Sequence, residues 1–214
     1  MLKKNKGLVI LTSLMILLPM VAGVLLWNQL PEKMPIHWGV NGQADGWCSR
    51  PMAVCGMPLL LLALHLLCMW GTGLDKRNRN QNEKVARLVL WIVPAVSLLA
   101  NSATYTAALG RDFQMNRMVM LFVGLFFVIV GNYLPKTVQN RTIGIKIKWA
   151  LEDEENWNAT HRLAGKLWMT GGLLIMLCAF LTGTVTTWIM SVALVMMVGI
   201  PVVYSWRLSR RQKG

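Results

Sequence analysis

His37 and Asp45 stand eight positions apart in PEKMPIHWGVNGQADGW, residues 31–47, a polar stretch between two apolar ones. An imidazole beside a carboxylate can work as an acid–base pair, the carboxylate fixing the ring tautomer. No nucleophile and no third ligand stand nearby, so neither catalysis nor a bound metal is expected here. The run Asn41, Gln43, Asp45, Gly46 is like the opening of a calcium loop. Its twelfth position is Met52, however, where such a loop needs a bidentate glutamate. What remains is a docking loop for a ligand, with His37, Trp38, Gly42, Asp45 and Gly46 as candidate ligand-binding residues, or a compact cap on the helices.

The backbone grammar of this stretch is specific. Pro31 and Pro35 forbid a continued helix, and Asn41-Gly42 and Asp45-Gly46 are turn dipeptides. Ile36, Trp38 and Val40 alternate with His37 and Gly39, as in a short strand before a hairpin turn. A three-residue loop ending at Gly42 brings His37 opposite Asp45, and a two-residue turn puts them on opposite faces. Both registers are open at this level.

A second dense region is GNYLPKTVQNRTIGIKIKWALEDEENWNATHRLAGKLW, residues 131–168. Pro135 ends a helix. Ile143, Ile145 and Ile147 alternate with Gly144, Lys146 and Lys148, which suits a surface segment lying on lipid. The acidic run Glu152 to Glu155 predicts a helix start, since carboxylates there meet the positive end of the dipole. Trp157, His161 and Ala164 then share one face. His161 is placed to touch headgroups, a partner protein, or neighbouring helix ends.

These motifs hang on apolar blocks. The chain has 214 residues, 55% hydrophobic and only 14% charged, against about a quarter charged in soluble domains. Six blocks of roughly membrane-spanning length fall at 8–27, 51–70, 88–109, 118–134, 163–182 and 187–206. The expected class is an all-α integral membrane protein, a six-helix bundle with a short structured external loop between the first two helices. Residues 1–70 form its first part and 71–214 a four-span remainder with a loop at 135–162. Gly183 to Thr186 would make a tight hairpin between the last two spans.

The formal charge of +13 follows this topology rather than a nucleic-acid site. Eighteen of the 22 basic residues fall at the N-terminus, in 71–87, in 135–166 and at the C-terminus. The positive-inside rule places those segments, with both termini, in the cytoplasm. Lipid is the expected partner of this charge, with no direct nucleic acid. His37 and His161 then lie on opposite sides and cannot share a metal. Lys3, Lys4 and Lys6 could open a signal peptide, but the apolar run reaches Trp27 and reads as a retained span. Cys48, Cys55, Cys68 and Cys178 suggest no disulfide framework. Inside the spans, His65 and Asn101 are candidates for helix-to-helix hydrogen bonding, or for a solute path.

The two dense regions resemble the SdpI-like family of bacterial multi-pass membrane proteins. Pro31, Pro35, His37, Gly42, Asp45 and Gly46 are similar to the first family signature. Asn132, Asn140, Gly144, Ile145, Trp149, Leu151, Trp157, Thr160, His161, Arg162 and Gly165 are similar to the second. Lys146 and Lys148 depart from it, standing where the family often has arginine and then proline, and Ala150 replaces a common threonine. The resemblance implies a six-span protein of the bacterial cytoplasmic membrane that neutralises a secreted toxic peptide outside and holds a small repressor inside. Gly144, Trp149, Trp157, Thr160, His161, Arg162 and Gly165 would be its partner-binding residues, with no cofactor and no enzymatic step. The alternatives are a small-solute transporter, or a membrane-bound metal-dependent enzyme using His37 and Asp45.

Overall fold

The computed structural model describes residues 5–39, 42–111, 114–181 and 184–211. Val40 and Asn41 of the expected turn, Gly183 of the expected hairpin, and Lys3, Lys4 and Lys213 lie outside the described residues. The structure is 79% helical, so the one hairpin among the described residues is an insert in an otherwise α-helical protein. The order is α1 (Lys6–Leu25), β1 (Lys33–Trp38), β2 (Ala44–Ser49), α2 (Met57–Leu74), α3 (Glu83–Ala108), α4 (Met115–Tyr133), α5 (Lys148–Glu152), α6 (Glu154–Cys178) and α7 (Thr184–Arg211). A π-helical turn, Met52–Gly56, leads into α2.

Among the described residues, five helices are long and apolar enough to cross a membrane: α1, α2 with its π turn, α3, α4 and α7. The sixth expected span, 163–182, falls mostly in α6, which is not one of the five. Arg162 and Lys166 sit within that helix, so its unbroken apolar part is only the C-terminal half. The acidic run also folds differently from expectation. Rather than opening one helix at Glu152, it closes α5, breaks at an extended Asp153, and restarts as α6. The Asp153 carboxylate accepts the Glu155 N–H at 2.8 Å, an N-cap that satisfies one orphan donor.

Two compact units divide the chain: Met1–Leu74 with Ala86–Asn116, and Asp75–Val85 with Arg117–Gly214. In the first, buried polar groups reach across helices. The Tyr105 hydroxyl donates to Pro19 O at 2.8 Å, and Ser97 Oγ to Ile16 O at 3.2 Å, joining α3 to α1. His65 Nε2 lies 3.2 Å from Thr12 Oγ1, joining α2 to α1 as expected of a polar residue in an apolar span. Asn101 instead stays on its own helix, donating to Ser97 O at 2.9 Å.

In the second unit, α4 and α6 meet along glycines. A Cβ at Gly172 would stand 2.6 Å from Gly124 O, and one at Gly165 would stand 2.8 Å from Gly131 O. Such small residues let apolar helices approach to backbone contact, where packing rather than water expulsion holds them. The Arg117 guanidinium donates to Ala179 O at 3.3 Å and lies over the Phe180 ring, pinning the start of α4 to the end of α6. Gly172→Val is expected to prise this seam apart at a cost of about 1–3 kcal/mol. Thermal unfolding in detergent should show it as a loss of several degrees, and an unchanged melting point would remove the seam as a determinant.

Candidate functional site

Two constellations hold the residues singled out by sequence, one in each unit. The first is the hairpin. Its root is buried: Met34 at 0% exposure and Leu30 pack with Ala53, Val54 and Tyr105. Arg50 ties the same region together, its guanidinium donating to Trp27 O at 2.8 Å and lying over the Trp27 ring. With the root fixed, side chains on the opposite strand face are held outward.

The antiparallel register pairs Pro35 with Trp47, His37 with Gly46 and Trp38 with Ala44, so Ile36 and Asp45 are unpaired extras. These irregularities bring His37 and Asp45 to the same face, and His37 Nδ1 lies 2.5 Å from Asp45 Oδ1. Gly46 permits it, because a Cβ there would stand 2.9 Å from His37 Cβ. Gly42 takes φ +76 beside the turn, a conformation that favours glycine. The pair is open to solvent, with side-chain exposures of 73% and 53%. Trp38 is half-buried, and Trp47 is exposed at 56%. Chemically, the carboxylate orients the ring through Nδ1 and leaves Nε2 pointing outward as a hydrogen-bonding group. Among the described residues no three His, Cys, Asp or Glu side chains gather to hold a metal, and all four cysteines are free.

The second constellation is a knot of backbone tied by buried polar side chains. Ile143, Ile145 and Ile147 form no strand; the segment is irregular, and its isoleucines are half-buried. Asn140, fully buried, organises it. Its amide donates to Val138 O and Ile143 O, and its carbonyl accepts the N–H groups of Thr142 and Ile143 at 2.7 and 2.6 Å. Asp75 accepts the Arg141 N–H at 2.7 Å, and Asn78 donates to Thr142 Oγ1, anchoring the 75–85 segment to the knot.

His161 closes the knot. Its Nδ1 donates to Trp157 O at 2.8 Å, and its Nε2 accepts the Ile145 N–H at 3.0 Å. Both bonds need the neutral ring with the proton on Nδ1. Burial pushes the imidazole down to about 4, the Trp157 carbonyl offsetting this only in part. The Trp157 ring stacks on it at 3.9 Å between centroids and donates its own N–H to Thr137 O. Gly144, at φ +109, leaves no room for a side chain, since a Cβ would stand 2.6 Å from His161 Nε2.

Trp157, Thr160, His161 and Gly165 are therefore buried, Gly144 and Trp149 half-buried, and Arg162 exposed. Sequence reading missed Asn156, whose amide donates to Ser205 O and whose carbonyl accepts the Thr160 and Ser205 hydroxyls, joining α6 to α7. A signal was there: Asn156 precedes Thr160 by one helical turn, on one face.

Residues 136–205 match the SdpI/YfhL protein family, and residues 14–62 match a domain of unknown function (DUF1648). The chain is 26% identical over 212 residues to "Immunity protein SdpI" of Bacillus subtilis (strain 168), covering 99% of both proteins. The first match contains the knot and the second contains the hairpin, so both constellations lie in matched sequence. No solved structure matches the chain.

Proposed function

We propose that this SdpI-like chain is a multi-pass immunity protein of the bacterial cytoplasmic membrane, which protects its cell from a secreted toxic peptide. The observation that carries the reading is likeness to an immunity protein along nearly the whole of both chains. In this reading residues 163–182 form the sixth span, with the first turns of α6 at its cytoplasmic end, the hairpin faces outside, and both termini are cytoplasmic, in keeping with the distribution of basic residues. His37 and Asp45, on a face framed by Gly42 and Gly46, meet the peptide, with the half-buried Trp38, turned toward α2 and α3, beside them.

The knot is the cytoplasmic counterpart, where a small repressor is held. Buried Trp157, Thr160 and His161 act there as a frame rather than as a contact surface. Gly144 lets the segment fold onto them, and exposed Lys146 and Lys148, with half-buried Trp149 beside them, supply the contact chemistry. Arg162 and Gly165 continue the same helix toward its apolar half. Residues 1–70 carry the peptide-meeting part and 71–214 the repressor-holding part.

The test is membrane potential in cells challenged with a secreted toxic peptide of the Sdp type. Cells making this chain are expected to keep their potential at peptide levels that depolarise cells without it. Equal depolarisation, with the chain present in the membrane, would overturn the immunity reading.

A further inference from the structure

A groove of about 390 Å³ opens in the second unit, where the end of α4 meets the first half of α6 and the Tyr204 side of α7. Its size is within the range of small-molecule sites, about 300–1,000 Å³. Two features define its chemistry. Arg162 and Lys166 stand one helical turn apart on one face, both exposed, and neither makes an ion pair among the described residues. Like charges at this spacing repel each other, so an anion placed between them would be attracted by both and relieve that repulsion. No carboxylate lines the groove. The rest of the lining includes apolar Leu163, Met169 and Pro135, beside the close approach of glycines 131 and 165.

From this charge complementarity we propose that the groove binds an anionic glycerophospholipid of the surrounding bilayer. The phosphodiester sits between Arg162 and Lys166, in a groove that Asn132 and Tyr204 also line, and an acyl chain lies along Leu163 and Met169. A free phosphate would use the cations and leave the apolar wall wet. A neutral lipid would fill the wall and leave two like charges uncompensated. Basic pockets between spanning helices hold lipid headgroups for these reasons. The proposal rests on the chain lying in a membrane, but not on its binding a toxic peptide.

The experiment uses the full chain purified in a neutral maltoside detergent. Its melting point is followed as phosphatidylglycerol, phosphatidylcholine or glycerol phosphate is added. Phosphatidylglycerol is expected to raise it by several degrees, and the other two to leave it within a degree. The double variant Arg162→Gln/Lys166→Gln and the groove-filling Ala159→Trp should each need at least tenfold more phosphatidylglycerol for the same shift. Two variants of opposite kind guard against one that fails to fold. An equal shift with glycerol phosphate means a free-anion site and overturns the lipid. An equal shift with phosphatidylcholine means general solvation by lipid and also overturns it. An undiminished response in both variants moves the effect elsewhere. A chain that fails to protect cells but passes this test leaves the lipid site standing.

Discussion

Cells carrying His37→Ala are expected to depolarise at a peptide concentration roughly ten- to a hundredfold lower than cells carrying the unaltered chain. That range is the loss of one well-placed hydrogen-bonding contact, about 1.5–3 kcal/mol when a charged group takes part. The amount of protein in the membrane should not change. His37 and Asp45 are both largely exposed, and an exposed ion pair contributes about 0–1 kcal/mol to a fold. The hairpin is held from its other face, by Met34 and Leu30 in the buried cluster and by Arg50 on Trp27. A functional loss at His37 therefore separates from unfolding. Asp45→Asn keeps an acceptor for the ring and should cost less, a severalfold shift. Full protection by His37→Ala at matched levels would reduce the hairpin to a cap and remove it as the peptide's contact.

What the sequence shows of this arrangement depends on where each signal is stored. The apolar blocks store it in length, so the helical class is readable without any structure. The hairpin stores it in turn dipeptides and prolines, and these foretell a reversal near Gly42. Whether His37 meets Asp45 is not stored there. It depends on two strand irregularities, at Ile36 and Asp45, each of which moves side chains relative to the opposite strand.

The second region has the same character. The spacing of Trp157, His161 and Ala164 gives a shared face, but not its direction, and all three turn inward. The partner of His161 is a backbone N–H sixteen residues upstream, and a backbone group leaves no residue type to read. Gly144 is the one trace of it. The acidic run misleads for a local reason: four carboxylates suit one helix N-terminus by charge, whereas Asp153 caps the second of two helices. The glycines of α4 and α6 recur seven apart on each helix, a legible sign of a close-packed seam. The span count is harder, because Arg162 and Lys166 occupy the helix that would be the sixth span. Their exposure beside an apolar groove is what a polar end of a spanning helix would offer.

Gly144→Ala is expected to destabilise the second unit by on the order of 3 kcal/mol. Two costs add: a φ of +109 that an L side chain rarely adopts, and a methyl group driven against His161 Nε2 and the Trp157 ring. In a chain of this length that is a melting-point loss of roughly 6–12 °C. His161→Ala should match it, by leaving the Ile145 N–H without its acceptor and Trp157 without its stacking partner. The two differ in their response to acid. The imidazole titrates near 4 when folded and near its ordinary 6.5 when unfolded. Between those values the unfolded chain binds the extra proton, so stability rises with pH. The contribution of His161 is thus complete above about 6.5, declines as the pH falls, and is gone below about 4. Limited proteolysis of the 138–147 segment is the direct readout. Cleavage of the unaltered chain should speed up from pH 7.5 to pH 5, while His161→Ala is cut fast at both. Should the unaltered chain be cut at one rate across that range, the neutral ring is not what closes the knot.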